Sequence, residues 1–312
     1  MNSPRKLVAI LGPTASGKSS LAVALAEKLN GEIVCCDSTQ VYRYFDIGTG
    51  KATAAEQKGI RHHLMDLVEP NQVFTAGDYR RMARETLDEI TVRGKLPILT
   101  VGTGLYLRAL LEGLDDLPAR SEAIRERLRR RAEQKGPKYL HRILDRCDPR
   151  SATRIAPRDA QKIIRAIEVS LLAGKPASQL LGRGRDPLQG FTIIKIGLLP
   201  SRAKLYARID HRVEEMFAAG WVDEVRSILR AGVSPSAKAF TFIGYAQIRE
   251  HILHGAPIEP SVPEIQQATR RYAKRQLTWF RRESNVHWRT GFGTDENIQA
   301  DALKIISSAT TD

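Results

Sequence analysis

Residues 12–19 read Gly12-Pro13-Thr14-Ala15-Ser16-Gly17-Lys18-Ser19, which fits G-x-x-x-x-G-K-[ST], the pattern of a nucleotide- or ATP-binding loop. The chemistry this spacing offers is anion capture. Glycines let the backbone curl until successive N–H groups converge on an oxygen-rich anion, and the positive end of a following helix adds to the field. Lys18 is expected on the phosphates, and Ser19 is expected to offer its hydroxyl to Mg²⁺. The loop by itself leaves open which phosphate is held, and whether that phosphate is transferred or discarded.

Two further stretches bring reactive side chains to the same edge. Asp37-Ser38-Thr39-Gln40 follows the apolar run Gly31–Cys36, and Gly102-Thr103-Gly104 follows Leu96–Val101. In an open parallel sheet, ligands bind at the carboxyl ends of the strands. Asp37 would then face the phosphate loop across the crevice, or serve as an N-cap or turn residue; Thr103 is within reach of the crevice floor, although Gly102-Thr103-Gly104 taken alone reads as a tight turn needing no ligand. His62 and His63 are adjacent, so on a strand they point to opposite faces and do not form a metal pair. Cys35, Cys36 and Cys147 have no zinc spacing and read as reduced, structural thiols.

The elements that must position these residues follow from periodicity. Leu7–Leu11 reads as a strand before the loop, and Ser20–Leu29 as the helix after it. Arg61–Asp66 reads as a short strand, and Thr75–Gly94 as a helix ended by glycine. A helix starts at Leu105. Ala119–Gly136 is crowded with Arg, Glu and Lys at helical spacing, Lys138–Cys147 is a second short helix, and Asp148-Pro149 is a turn. Asp159–Leu172 is amphipathic, Phe191–Leu199 is the last strong strand, and the chain beyond it is mostly helical: Ala203–Ala219, Trp221–Arg230, a helix opened by Thr241–Gln247, and Val262–Arg282. That last helix places Arg270, Arg271, Lys274, Arg275, Arg281 and Arg282 on one arc and Ile265, Tyr272, Trp279 and Phe280 opposite. The tail after Arg289 is polar and adds little. The fold expected is α/β: a P-loop NTPase-like parallel sheet core (residues 1–114 and 156–312) with helices in its C-terminal part, and a small helical insertion or lid at residues 115–155.

The chain has 312 residues, 42% of them hydrophobic, enough to bury a substantial core. No apolar run is long enough to cross a bilayer, and Leu7–Leu11 is too short for a signal peptide. These features predict a cytoplasmic protein without a membrane partner, and nothing demands more than a monomer. The net charge of +14 favours a polyanionic partner. The cationic helix Val262–Arg282 locates that charge on a surface suited to tracking phosphates. From the residues alone, a small-molecule kinase and a nucleic-acid-binding ATPase module stay open.

Taken in order, these stretches resemble the tRNA dimethylallyltransferases (tRNA isopentenyltransferases), in their bacterial form. The resemblance runs from about Leu7 to Arg282. It rests on the phosphate loop, Asp37-Ser-Thr-Gln-Val-Tyr42 with Asp46-Ile-Gly-Thr49, His62-His-Leu-Met-Asp66, Gly102-Thr-Gly-Leu-Tyr106, Arg165-Ala-Ile-Glu-Val169, Ile243-Gly-Tyr245, and Ala268-Thr-Arg-Arg-Tyr-Ala-Lys-Arg-Gln-Leu-Thr-Trp-Phe-Arg281. Val101 and Gly50 depart from the usual residues at their positions. The resemblance implies transfer of a dimethylallyl group from dimethylallyl diphosphate to N6 of the adenine 3′ of the anticodon in tRNA, giving N6-isopentenyladenosine and diphosphate. A prenyltransferase acting on free adenine nucleotides is the near alternative. The loop would then cradle a leaving group rather than ATP, with Lys18, Thr14 and Mg²⁺ at Ser19 countering its charge. Asp37 would be the general base and Thr103 would hold the adenine or a diphosphate oxygen; Arg208 and Arg212 are further candidates for the diphosphate. By the family pattern, contacts to the tRNA anticodon stem-loop fall on Asp37, Ser38, Thr39, Gln40 and Thr103. They fall also on Arg125, Gln161, Lys162, Ile163, Ile164 and Arg165, and on Thr241, Phe242, Ile243, Gly244, Tyr245 and Ala246. The final set is Lys274, Arg275, Gln276, Leu277, Thr278, Trp279, Phe280 and Arg281.

Overall fold

The structure, a computed structural model, describes residues 5–309. It divides into two compact units, one combining Met1–Leu111 with Leu188–Asp312 and the other spanning Glu112–Pro187. In chain order, the first unit begins with β1 (Arg5–Leu11), α1 (Lys18–Leu29), β2 (Gly31–Cys36), α2 (Ala54–Gln57), β3 (His62–His63), α3 (Ala76–Val92), β4 (Leu96–Val101) and α4 (Gly104–Glu112). The second unit holds α5 (Glu122–Lys135), α6 (Pro137–Cys147), α7 (Pro149–Arg154) and α8 (Ala160–Ala173). The chain returns to the first unit with β5 (Phe191–Leu198), α9 (Arg202–Ala218), α10 (Trp221–Arg230), α11 (Tyr245–His254), α12 (Ser261–Phe280), β6 (Val286–Arg289) and α13 (Glu296–Ser308).

The six strands form one sheet in the order β3-β2-β4-β1-β5-β6, and every pairing is parallel. A parallel sheet is covered on both faces, so its central strands are continuous apolar runs. Leu7–Leu11 accordingly has no exposed residue. One face is covered by α3 through Tyr79, Ala83, Leu87 and Ile90. The other is covered by α1 and α13, where Leu21, Ala22 and Leu25 join Ile298, Ala302 and Ile306.

The second unit packs Ile163 and Ile167 of α8 with Leu128 of α5 and Leu140 and Leu144 of α6. Glu168 is fully buried there and its carboxylate takes bonds from Arg125, Arg165 and the Ser121 amide. Burial, the largest single effect, pushes its pKa up, but these charge-assisted bonds together outweigh it and hold the pKa below the usual carboxylate value.

Four expectations need correction. The chain after Arg289 is not a bare polar tail, because α13 spaces Ile298, Ala302, Ile305 and Ile306 along one helical face and buries them. Phe191–Leu199 does not contain the last strand, because Val286–Arg289 adds to its edge as β6; four residues in which only Val286 and Trp288 are apolar carry too little period to read. Asp148-Pro149 is not a simple turn, because the Asp148 carboxylate caps the helix α7 by accepting from the Ser151 amide. The compact second unit also extends to Pro187, past the residue-155 limit drawn from charge composition, since α8 supplies its apolar core.

We expect Ile298→Ala to lower unfolding free energy by about 2–4 kcal/mol in urea, the cost of a core cavity. An unchanged midpoint would mean that α13 does not cover the sheet.

Candidate active site

Strand register brings the reactive loops level. Leu11 pairs with Val101, and Val101 pairs with Cys36. The next residues, Gly12, Gly102 and Asp37, therefore leave the sheet side by side. The phosphate loop turns through Ala15 at φ 61° and Gly17 at φ 86°, and Gly17 caps α1 in a left-handed conformation that glycine adopts without strain. Lys18 opens α1 and folds back to donate to the Gly12 and Pro13 carbonyls, at 2.9 Å each. Burial pushes its pKa down to about 8, with the Asp37 carboxylate pulling it up and Arg212 pushing it down. Ser16 is buried with an unpartnered hydroxyl, while Ser19 is exposed.

The Asp37 carboxylate is held by its own turn. Oδ1 accepts from the Thr39 amide at 2.8 Å and the Thr39 hydroxyl at 2.7 Å, whereas Oδ2 takes no hydrogen bond among the described residues. Oδ2 lies so close to the Gly102 Cα that a Cβ there would sit 2.0 Å from it. Thr103 accepts from the Ser38 amide at 2.9 Å and donates to the Ser38 hydroxyl at 3.1 Å, tying the turn after β4 to the turn after β2. Gln40 donates to the Thr49 and Gly50 carbonyls and orders the loop that follows.

One cavity of about 1060 Å³ is lined by Thr14, Ala15, Gly17, Lys18 and Ser19 of the phosphate loop, by Asp37–Gln40, and by Thr241–Ile243, Arg275 and Gln276. Arg208 and Arg212 of α9 line it as well, as does an apolar wall that includes Val213, Met216, Trp221 and Ile265. A cationic end and an apolar wall in one cavity suit a ligand with an anionic head and a hydrocarbon part. The Arg208 guanidinium sits over the Phe292 ring, and Arg212 reaches the Gly50 carbonyl. Glu224 was not among the candidates. It accepts from the Asp46 and Ile47 amides and from the Tyr245 hydroxyl, which in turn accepts from Gly48. A carboxylate in the first turn of a helix reads as helix-end electrostatics, and the two amides it takes lie more than 170 residues upstream.

Several residues named as RNA contacts have side chains that face the core, which corrects that expectation for them. Ile163, Ile164, Tyr245, Gln276 and Phe280 are buried, because contact stretches taken as continuous runs include the inward positions of their helices. Tyr245 instead supports the loop at Gly48, and Gln276 bonds backbone on either side of the cavity. Arg125 and Arg165 bond Glu168 inside the second unit, and Gln161 and Lys162 are exposed on it. On α12, Lys274, Arg275, Thr278 and Trp279 are exposed and Leu277 is half-buried, and Arg281, the residue that caps its C-terminus, is exposed as well. Trp279 departs from the buried aromatic face expected of it: its ring lies against Gly104 with 38% of its surface open. Arg270 departs from the cationic face by pairing with Asp210. His62 and His63 serve separate partners, the Ile60 carbonyl and the Glu32 carboxylate, and all three cysteines are free thiols. No described helix is long and apolar enough to cross a membrane.

Gly102→Ala should displace the Asp37 carboxylate and lower turnover by about a hundredfold or more, the scale expected for a misplaced reacting group. Turnover within about twofold of wild type would mean that the close approach has no chemical role.

Comparisons with known proteins agree with this architecture. The IPP transferase family model matches residues 40–283. A tRNA dimethylallyltransferase from Koribacter versatilis is 52% identical over 97% of this chain and 98% of its own. A tRNA isopentenylpyrophosphate transferase structure from Bacillus halodurans is 36% identical, with a TM-score of 0.69 and 98% of each chain covered. A eukaryotic dimethylallyltransferase acting on tRNA shares the fold at a TM-score of 0.79 and 24% identity, over 97% of this chain and 80% of that one.

Proposed function

Because the chain belongs to the IPP transferase family, that of the tRNA dimethylallyltransferases, we propose that it transfers a dimethylallyl group from dimethylallyl diphosphate to N6 of the adenine 3′ of the anticodon in tRNA. The observation that carries this reading is the single cavity onto which the phosphate loop, Asp37 and the apolar wall all open. The diphosphate occupies the phosphate loop, with Lys18, Thr14, Arg208 and Arg212 around it. The hydrocarbon lies along the apolar wall.

The adenine N6 attacks C1 of the allylic chain. A C–N bond forms, the C–O bond to diphosphate breaks, and its electron pair leaves on the diphosphate. N6 is a poor nucleophile because its lone pair is delocalised into the ring, so it must lose a proton as the bond forms. Asp37 takes that proton on Oδ2, the carboxylate oxygen left unbonded by its own turn. Lys18 and the loop amides offset the charge that grows on the leaving oxygens. Thr103 does not line the cavity floor as the sequence suggested; its hydroxyl is engaged by Ser38, and it positions the turn that bears Asp37.

No cluster of three His, Cys, Asp or Glu among the described residues is arranged to hold a metal. The exposed Ser19 hydroxyl beside an anion pocket fits instead a hard cation that is bound largely through substrate phosphates, as Mg²⁺ commonly is. Ser19 would hold it, and when bound it would supply Lewis-acid neutralisation of the diphosphate.

The acceptor is the tRNA anticodon stem-loop, met by the exposed Lys274 and Arg275 of α12, by Arg281 at its C-terminal cap and by Thr241, Phe242 and Ile243. The target base must leave the loop stack to reach Asp37. The protein works in the cytoplasm as a monomer, and the second unit bears Gln161 and Lys162 as further phosphate contacts. The extent of exposed positive charge on α12 favours tRNA over a free nucleotide, which would need no such surface.

The deciding assay supplies Mg²⁺, labelled dimethylallyl diphosphate and either unmodified tRNA or AMP. Label on tRNA alone supports the reading; label on AMP, or none on either, overturns it. In the same assay Asp37→Ala should lower kcat by about 10²–10⁴-fold, the usual worth of a general base, with tRNA affinity nearly intact. An active variant would remove Asp37 from that role.

The pH dependence follows from Lys18. Its depressed pKa of about 8 means that the free protein loses this charge as pH rises through that value. Donor kcat/KM should therefore fall above pH about 8, rather than near 10 as for an ordinary lysine. A profile flat to pH ~10 would overturn the combination of a depressed Lys18 pKa with a Lys18 role in donor capture.

A further inference from the structure

Gln276 lies on α12 among the cations expected to meet RNA, yet it is 6% exposed. Its carboxamide spans the two turns of the site. Oε1 accepts from the Thr14 amide of the phosphate loop at 2.8 Å, and Nε2 donates to the Gly102 carbonyl at 2.8 Å. The orientation of the amide is dictated by its partners, since a backbone N–H only donates and a carbonyl only accepts. Tyr272, one turn earlier, adds a hydroxyl donor to the same Gly102 carbonyl at 3.3 Å. Gly102 is also the residue against which Asp37 Oδ2 rests.

We propose that Gln276 is a positioning residue that sets the spacing between the donor loop and the turn backing Asp37, and that it acts as a buried strut rather than as an RNA contact. The substrates concerned are those of the reading above. Three physical consequences follow. The Thr14 N–H is already engaged, so Thr14 meets the anion through its hydroxyl. The loop cannot shift away from the Asp37 turn without breaking a buried hydrogen bond, which leaves an unsatisfied polar group. Donor carbon and base are thereby held at one separation, and errors of about 1 Å in such a separation cost on the order of a hundredfold in rate.

Two variants of the full chain separate this from other roles. Gln276→Met keeps length and bulk but makes neither bond. Gln276→Glu keeps an acceptor for the Thr14 amide and loses the donor to Gly102. In Gln276→Met, hydrogen exchange at the Thr14 amide, measured without any substrate, should accelerate about tenfold or more. In Gln276→Glu that amide should stay protected. Both variants should lose about 10–100-fold in kcat at saturating dimethylallyl diphosphate and tRNA, with tRNA Kd changed less than about twofold. Unchanged Thr14 exchange in the methionine variant overturns the strut. So does a weakened tRNA Kd with kcat preserved, which would make Gln276 an RNA contact. The exchange measurement needs no turnover, so a wild-type protein inactive on tRNA would sink the functional reading while exchange still decides this one.

Discussion

Everything at the candidate site depends on three parallel strands ending at one level. Hydrogen bonding between β1 and β4, and between β4 and β2, pairs Leu11, Val101 and Cys36 across the sheet. Parallel ladders are evenly spaced, so the residues that follow must emerge together. Gly12 opens the phosphate loop, Asp37 brings a carboxylate, and Gly102 leaves room for that carboxylate. The Gly102 and Thr103 amides both donate to the Cys36 carbonyl, which carries the ladder one step past the last strand pair. A slip of one residue in β2 would turn its side chains to the other face of the sheet and remove Asp37 from the crevice.

The loop beyond Gln40 shows how distant segments hold a short irregular stretch. Lys51 is nearly buried and bonds the Tyr42 carbonyl, Asp46 and Asp66. Glu224 and Tyr245 take the amides of residues 46, 47 and 48 from the other side. Burial raises the Glu224 pKa, and the amides and the tyrosine hydroxyl oppose that rise. Phe45 packs its ring among Phe240, Phe242 and Tyr245. The loop is thus anchored by polar bonds at its rim and by aromatic packing at its base.

Positive charge is divided between two uses. Arg125 and Arg165 share the buried carboxylate of Glu168, and Arg270 pairs with Asp210. Such pairs hold a fold together when both members are present, and removing one member leaves a buried charge. Lys274 and Arg275 remain on the open face of α12, and Arg281 at its C-terminal cap, where charge costs little and attracts a polyanion over a Debye length. Lys18 stands between these cases: burial lowers its affinity for its proton, yet it lines the cavity at the phosphate loop.

Local pattern carried much of this in the sequence. The phosphate loop is a contiguous octet whose glycines and lysine have mechanical roles, so it was legible without neighbours. Gly31–Cys36, Leu96–Val101 and Trp221–Arg230 were bounded at the residues observed, because buried strands are unbroken apolar runs and an amphipathic helix keeps its period. The family followed from motifs spread over most of the chain. Other features required the folded chain. Whether a residue on α12 faces RNA or the core depends on what packs beside the helix, which explains why Gln276 and Trp279 exchanged the surroundings expected of them. The α13 helix gained its role only by meeting α1. The Glu224 support of residues 46–48 joins groups far apart in the chain, and spacing in sequence encodes no such distance. Sequence determined which groups were present and which local shapes they adopt, since those depend on near-neighbour sterics and period. Tertiary structure decided which groups meet, because long-range contacts arise from the packing of whole elements.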